Sequence, residues 1–325
     1  SGTFRVGIAS DRNRRCRRTM EDSHSFFYNF DNTAGQGFFT IFDGHAGKQA
    51  AEWCGLHFHE LFLAQLAQRK AQRQTHRGGA PVVRADTVIP ELLHYTFLEA
   101  DQRISTDLDS HSGCTAVVAY LELQPPPSPP ASEALVPPST PLPGQTQFNP
   151  QQLLLPPTRS GLGSASSTSP SKDSTHTAPN SHRRWTLYTA NVGDARGVLA
   201  RNGRAVRLTY DHKGDDPHEV RRISEAGGFV INNRVNGVLA VTRALGDTSM
   251  KDVVVGHPYT TETELTPGDS FLIMACDGLW DVCSDQKAVN LIKDTSDAQK
   301  ASEILTKYAL DNFSRDNITV MVIKL

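Results

Sequence analysis

Two apolar runs in this chain break off in the same way. Phe38-Phe39-Thr40-Ile41-Phe42 runs into Asp43-Gly44-His45, and Phe271-Leu272-Ile273-Met274-Ala275-Cys276 runs into Asp277-Gly278. Short runs of aromatic and branched residues followed by Gly predict buried strands that meet a tight turn. Gly113 to Leu123, Trp185 to Val192 and the terminal run Ile318 to Ile323 are strand-like as well. Arg201-Asn202-Gly203-Arg204 between two apolar stretches predicts a hairpin, and Val235-Asn236-Gly237-Val238 gives a weaker signal of the same kind.

Helical spacing is rarer. Gln49 to Leu66 lines up Ala50, Trp53, Cys54, His57, Phe58, Leu61 and Phe62 on one face, and Pro90 to Ile104 is a second candidate. Asp216-Pro217 starts a third, with Gly227 just past its end. Ser284 can cap a fourth, and Ser296-Asp297-Ala298-Gln299 resembles a capping box for a fifth. Many hairpin-linked strands with a few amphipathic helices predict an α+β domain of packed antiparallel sheets covered by helices. The strand-helix alternation of a parallel sheet is missing, and so is a nucleotide-binding glycine fingerprint.

Two polar stretches interrupt the pattern. Residues 124–183 are dominated by Pro, Ser, Thr and Gly, too poor in apolar side chains to offset their ordering entropy. They read as a disordered insertion within one domain spanning 1–325, because the strand-like segments on either side could be neighbours in one sheet. Residues 69–85 read as a smaller polar loop.

The 325 residues carry 33 Lys and Arg against 35 Asp and Glu, so no global basic field points to nucleic acid. Five Cys at irregular spacing, with no Cys-x-x-Cys pair, read as reduced thiols of an intracellular protein. No apolar run approaches the roughly 20 residues of a membrane span.

The candidate chemistry lies in acids at strand ends. Asp43 and Asp277 close the two opening runs, Gly193-Asp194 follows a third strand, and Asp316 stands just before the terminal one. Glu21-Asp22 precedes the apolar run Phe26-Phe27-Tyr28. A carboxylate at the mouth of a buried strand is costly unless something pairs with it. Hard divalent cations such as Mg²⁺ and Mn²⁺ take such oxygen ligands. Two of them about 3.5–4 Å apart can share a carboxylate and activate a water between them.

Each acid alone has a plainer reading, since an Asp-Gly after a strand is usually only a turn. Arg12, Arg14, Arg15, Arg17 and Arg18 form a basic cluster. It reads either as a solvated loop or a weak nuclear-localisation or nucleic-acid patch, or as the source of one Arg that clamps a phosphate through its planar fork. His45, two residues after Asp43, is a candidate proton donor, whereas His57 and His59 belong to a helix. The weight rests on the joint pattern.

In order, Arg17-Arg18-Thr19-Met20-Glu21-Asp22, Phe42-Asp43-Gly44-His45-Ala46-Gly47, Ser112-Gly113-Cys114-Thr115-Ala116 and Asn191-Val192-Gly193-Asp194-Ala195-Arg196 resemble motifs of the metal-dependent serine/threonine protein phosphatases, the PPM or type-2C family. Val241-Thr242-Arg243-Ala244-Leu245-Gly246-Asp247, Ala275-Cys276-Asp277-Gly278-Leu279-Trp280-Asp281 and Arg315-Asp316-Asn317-Ile318-Thr319 continue the series. The likeness covers nearly the whole chain apart from the insertion. Gln49 to Gly55 after the second motif looks most like the small fungal members that act on stress-activated MAP kinases.

The resemblance implies a four-layer α-β-β-α sandwich of two mainly antiparallel sheets flanked by helices, with metals at one edge. It implies two divalent cations, Mg²⁺ or Mn²⁺, held by Asp43 as the bridging ligand, the Gly44 carbonyl, Asp277 and Asp316, with Glu21 and Asp22 at the rim. Asp194 and Asp281, with Asp277, would form a third and weaker metal position. Arg17 would hold the substrate phosphate and His45 would protonate the departing Ser or Thr oxygen, while a metal-activated hydroxide attacks phosphorus. Phosphorylated proteins, among them MAP kinases or their upstream kinases, are the implied substrates of a monomer in the cytoplasm and nucleus. A catalytically dead relative would lack one or more of the metal acids, and every one is present here. The near-neutral charge balance argues against a metal-dependent nuclease. One departure stands out: Asp211-His212-Lys213 is followed by Gly214 where relatives commonly have Pro.

Overall fold

Strand pairing in this chain builds two central sheets. The computed structural model describes residues 4–75, 88–124 and 184–325. In chain order its elements are β1 (Arg5–Asp11), β2 (Ser23–Tyr28), β3 (Gly37–His45), α1 (Gln49–Thr75), α2 (Ile89–Asp107), β4 (Gly113–Leu123) and β5 (Trp185–Val192). Then come β6 (Arg196–Arg201), β7 (Arg204–Arg207), α3 (Pro217–Glu225), β8 (Val230–Ile231), β9 (Arg234–Val235), β10 (Leu245–Gly246) and β11 (Tyr259–Glu264). The chain closes with β12 (Asp269–Ala275), α4 (Asp277–Trp280), α5 (Asp285–Ile292), α6 (Ala298–Asp311) and β13 (Ile318–Lys324). One sheet runs β1-β13-β12-β6-β7 and the other β11-β5-β4-β3-β2, with β10 beside β4. Both are antiparallel.

Side-chain alternation sorts these strands into four layers. Phe39, Ile41, Val117 and Leu187 of one sheet meet Leu199, Leu272, Met274 and Met321 of the other in a central apolar layer. The outer face of the first sheet, with Phe38, Phe42, Val118 and Tyr120, is covered by Phe58 and Phe62 of α1 and Phe97 of α2. The outer face of the second, with Val198, Ile273 and Val320, is covered by Val289 of α5 and Leu305 of α6. Central strands buried on both faces need continuous apolar runs, which is why β3, β4 and β12 lack the alternation of the edge strand β2. The α-β-β-α expectation therefore holds, and no helix among the described residues is long and apolar enough to cross a membrane.

The insertion expected at 124–183 falls, from Pro125 onward, outside the described residues. Its flanks are neighbours as expected: β4 and β5 pair with Leu123 opposite Trp185. The loop expected at 69–85 is corrected in its first part, because α1 continues to Thr75. The segment Ala67 to Thr75 is made of Ala, Gln, Arg, Lys and a final Thr, mostly strong helix formers, without Gly or Pro to stop it. The cap of α6 is Asp297, whose side chain accepts from the Lys300 N–H, not Ser296. Ser284 stands at the N-cap of α5 but makes no side-chain bond there.

Turn chemistry is otherwise as the sequence dictates. Asn202 and Gly203 adopt positive φ (51° and 74°), the left-handed pair that a two-residue hairpin requires. Asp216 caps α3 by accepting from the His218 N–H at 2.9 Å. A short hairpin, β8 with β9, was not anticipated; it turns on Asn232 and Asn233, both at positive φ.

Candidate metal centre

In antiparallel sheets the start of one strand lies beside the end of the next. Asp22 precedes β2, Asp43 lies near the end of β3, and Asp194 follows β5 after Gly193 (φ 78°). In the other sheet Asp277 follows β12 and Asp316 precedes β13. All five therefore emerge at one edge of the sandwich, and the expected convergence of acids is present.

The two opening motifs differ from the predicted tight turns. β3 continues through Asp43, Gly44 and His45, which pair with Thr115, Cys114 and Gly113 of β4. The chain turns only at Ala46 and Gly47, both with positive φ. Asp43 is thus held by a paired strand on the core side of the sheet end. Gly44 is needed there because a Cβ would meet the Glu21 carbonyl oxygen at 2.4 Å. Asp277 instead opens the one-turn helix α4, with Cys276 as its N-cap.

The electrostatics of the cluster are those of a site built for positive charge. Burial, reinforced by repulsion from Asp277, Asp22, Asp194 and Asp316, pushes the Asp43 carboxyl well above the usual carboxylate range. Burial followed by Asp194, Asp316 and Asp281 does the same to Asp277. Asp22 is pushed up to about 6 by burial, which outweighs hydrogen bonds from Thr319 and Cys276. Its Oδ2 accepts from Thr319 Oγ1 at 2.6 Å and from Cys276 Sγ at 3.4 Å. Its Oδ1 and the Oδ1 of Asp277 are buried without a hydrogen-bond partner.

One ligand atom each from Asp22, Asp43 and Cys276 lies within 4.8 Å of the others. Burial pushes the Cys276 thiol well up, so it stays protonated and is a poor partner for a cation. The remaining donors are carboxylate oxygens, two of them buried without partners, and that set fits hard divalent cations. Glu21 contributes less directly: its carboxylate accepts from Thr19 Oγ1 at 2.8 Å and from the Gly47 N–H at 3.3 Å.

Asp194 and Asp281 meet a side chain that carries no assigned role in the Asp211-His212-Lys213 motif. Lys213 Nζ lies 3.1 Å from Asp194 and 3.5 Å from the half-exposed Asp281. A cleft of about 230 Å³ opens here, lined by Asp194, Lys213, Asn233, Asp277 and Asp281. Gly214 also lines it, and a Cβ there would meet the Asn233 carbonyl oxygen at 2.4 Å, which accounts for Gly at this position. A wider cleft of about 830 Å³ between α1 and α2 contains none of the strand-end acids.

Arg17 pairs with Asp316 through Nη2 and donates from Nε to the Arg315 carbonyl at 3.2 Å. His45 Nε2 lies 2.9 and 2.8 Å from the two carboxylate oxygens of Asp247. Arg243 is committed elsewhere, to both oxygens of the buried Glu219 at 2.5 and 3.0 Å. Burial alone would raise Glu219, but Arg243 and Arg222 outweigh it and hold the carboxyl at about 2. His57 pairs with Glu60 on α1 and His59 stacks on Phe27, both structural.

Two positioning residues had no role assigned from sequence. Asn317, nearly fully buried, donates to the carbonyls of Arg12 (2.9 Å) and Thr19 (3.0 Å) and accepts from the Glu21 N–H (2.8 Å). Asp247 is the other, held with positive φ (50°). Only their place inside the quoted motifs hinted at them.

The two packed antiparallel sheets with flanking helices are the fold of solved 2C-type protein phosphatases. The protein phosphatase 2C family profile matches residues 6–124 and 165–318. The chain belongs to that family. It is 40% identical over 323 residues to protein phosphatase 2C homolog 1 of Saccharomyces cerevisiae, covering 99% of this chain and 94% of that one. It is 36% identical to protein phosphatase 2C homolog 1 of Schizosaccharomyces pombe, covering 98% and 73%. Among solved structures, a serine-threonine phosphatase 2C of Toxoplasma gondii superposes with a TM-score of 0.66 at 21% identity, covering 100% and 96% of the two chains. A sex-determining protein of Caenorhabditis elegans shares the fold with a TM-score of 0.70 at 21% identity, covering 100% of this chain and 65% of that one. The protein is accordingly a protein serine/threonine phosphatase, of a family that in general depends on Mg²⁺ or Mn²⁺.

Proposed function

We propose that the chain is one catalytic domain that hydrolyses phosphoserine and phosphothreonine in proteins at the edge formed by Asp22, Asp43, Asp277 and Asp316. The observation behind this reading is the set of buried carboxylate oxygens there without hydrogen-bond partners. Asp43, the Gly44 carbonyl, Asp277 and Asp316 would hold two cations, with Glu21 and Asp22 at the rim. Asp194 and Asp281, with Asp277, would hold a third. Bound cations supply Lewis acidity and a water whose pKa is lowered toward neutrality.

The chain's own groups do the rest. Arg17 is half-exposed beside Asp316, and its Nη1 makes no hydrogen bond among the described residues. That leaves part of its fork to hold a phosphate oxygen and fix the phosphorus for in-line attack. His45 Nε2 lies against both carboxylate oxygens of Asp247, which orients the ring so that, as the imidazolium, it can pass the proton of its other nitrogen to the departing alkoxide. An alkoxide is a poor leaving group, so this proton transfer matters most for Ser and Thr esters. None of the five free Cys is required as a nucleophile.

The substrates we propose lie in stress-responsive MAP kinase signalling, on the likeness of Gln49 to Gly55 to the small fungal members, with action as a monomer in the cytoplasm and nucleus. The test of the reaction is phosphate release from a phosphothreonine protein before and after chelation. Activity should vanish with chelator and return with Mn²⁺ or Mg²⁺. Full activity in chelator would overturn the reading.

A further inference from the structure

The loop between β1 and β2 carries five arginines in seven residues, from Arg12 to Arg18. Among the described residues only Arg17 of these forms an ion pair. Arg14, Arg15 and Arg18 are exposed, and so is Arg315 on the facing segment. Arg12 has its Nε buried without a hydrogen-bond partner. A cleft of about 490 Å³ runs along the loop, lined by Ser10, Asp11, Arg12, Arg14, Arg15 and Leu310. Its one carboxylate, Asp11, accepts from the Asn13 N–H at 2.6 Å.

This loop is fixed in place. The Asn13 carbonyl accepts from the N–H groups of Cys16 (2.8 Å) and Arg17 (2.9 Å), and the Asn13 amide donates to the Ser314 carbonyl at 2.6 Å. Asn317 ties down Arg12 and Thr19 on either side. The arginines therefore sit on a rigid shelf beside Asp316 and Arg17, one to three positions from the phosphate-holding side chain. At about 3.3–3.6 Å per residue, that is within reach of residues that flank a bound phosphoresidue. Like charges crowded without acidic partners repel one another, and an anionic ligand relieves this.

We propose that Arg14, Arg15, Arg18 and Arg315 form a docking surface for acidic residues that flank the phosphoserine or phosphothreonine of the substrate. The proposal rests on the active-site reading above and adds a substrate class to it. A small patch in a chain of net charge −2 suits a few carboxylates better than the long phosphate track of a nucleic acid. Surface charge pairs are individually weak and salt-sensitive, so the effect belongs in KM, is shared among several arginines, and fades as salt rises.

The experiment compares phosphothreonine peptides of equal length carrying three Asp or three Ser, before or after the phosphoresidue. At low salt the wild type should show a KM about fivefold lower for an acidic peptide than for its neutral partner, with similar kcat. The ratio should shrink toward one in about 0.5 M salt. It should also approach one in the triple variant Arg14→Ser, Arg15→Ser, Arg18→Ser, and the triple Lys variant should restore most of it. A wild-type ratio near one, or a ratio unchanged in the Ser variant, overturns the proposal. So does a Ser variant that loses binding to RNA or to phosphatidylserine vesicles while the wild-type peptide ratio is near one. Asp277→Asn separates the two readings: its full activity on both peptides would overturn the active site, while the acidic-to-neutral ratio still reports on the arginines.

Discussion

His45 and Asp247, 202 residues apart in sequence, meet at the edge of the β3-β4 pair with both carboxylate oxygens of Asp247 within 2.9 Å of His45 Nε2. The contact is tight because Gly113, opposite His45 on β4, has no side chain: a Cβ there would lie 2.2 Å from Asp247 Oδ2. This geometry holds the imidazole in one orientation.

Removing the orienting acid should therefore weaken proton donation without abolishing the site. Asp247→Asn is expected to slow release of a Ser or Thr alkoxide about tenfold, and His45→Ala to slow it more, within the 10²–10⁴-fold range typical of such catalysis. Release of an activated phenolate, which hardly needs a proton, should fall far less. Equal losses on alkyl and aryl phosphates would remove the proton-donor role.

Asn317 links three segments that carry Arg12, Thr19 and Glu21. Asn317→Ala leaves those partners without their bonds, each worth roughly 0.5–1.5 kcal/mol. Denaturant unfolding should show a loss of about 2–4 kcal/mol, and the KM for phosphopeptide should rise because Arg17 is carried by the same loop. A variant as stable as the wild type would contradict this.

Without cations, the protein should lose stability as pH rises. The folded-state pKa of Asp22 is raised to about 6, so its contribution is complete below the ordinary value of 3.8 and is lost as pH climbs through about 6. Asp43 and Asp277 shift in the same direction and add to the loss. Saturating Mg²⁺ or Mn²⁺ should accordingly raise Tm more at about pH 7 than at about pH 4. Thermal scans with chelator and with metal test this; a metal-induced gain independent of pH would refute it.

Much of this was legible in the sequence because it is local. Continuous apolar runs marked β3, β4 and β12, the Asn-Gly pair at 202 and 203 marked a hairpin, and the acids stood where the runs stopped. What escaped was set by pairing across the chain. β3 continues past Asp43 because β4 supplies partners down to Gly113, and no local signal separates that from a turn. Lys213, Asp247 and Asn317 act through contacts with residues distant in sequence, and nothing in their own neighbourhoods announces the partner. α1 runs on to Thr75 because helix propensity prevails there over a polar, loop-like composition.

Gly214 offers a test of that long-range fit. Gly214→Pro would introduce the residue that the family resemblance leads one to expect, yet here the ring would press on the Asn233 carbonyl. A destabilisation of roughly 1–3 kcal/mol is expected, as for overpacked sites. An unchanged Tm would show that the β8-β9 turn yields freely.

The most direct measurement is phosphate release from a phosphothreonine peptide in Mn²⁺ by wild type and by Asp277→Asn, with folding of both verified by circular dichroism. The carboxylate edge predicts that the folded variant loses on the order of 10²-fold or more of turnover. A folded Asp277→Asn protein that turns over like the wild type would contradict the account.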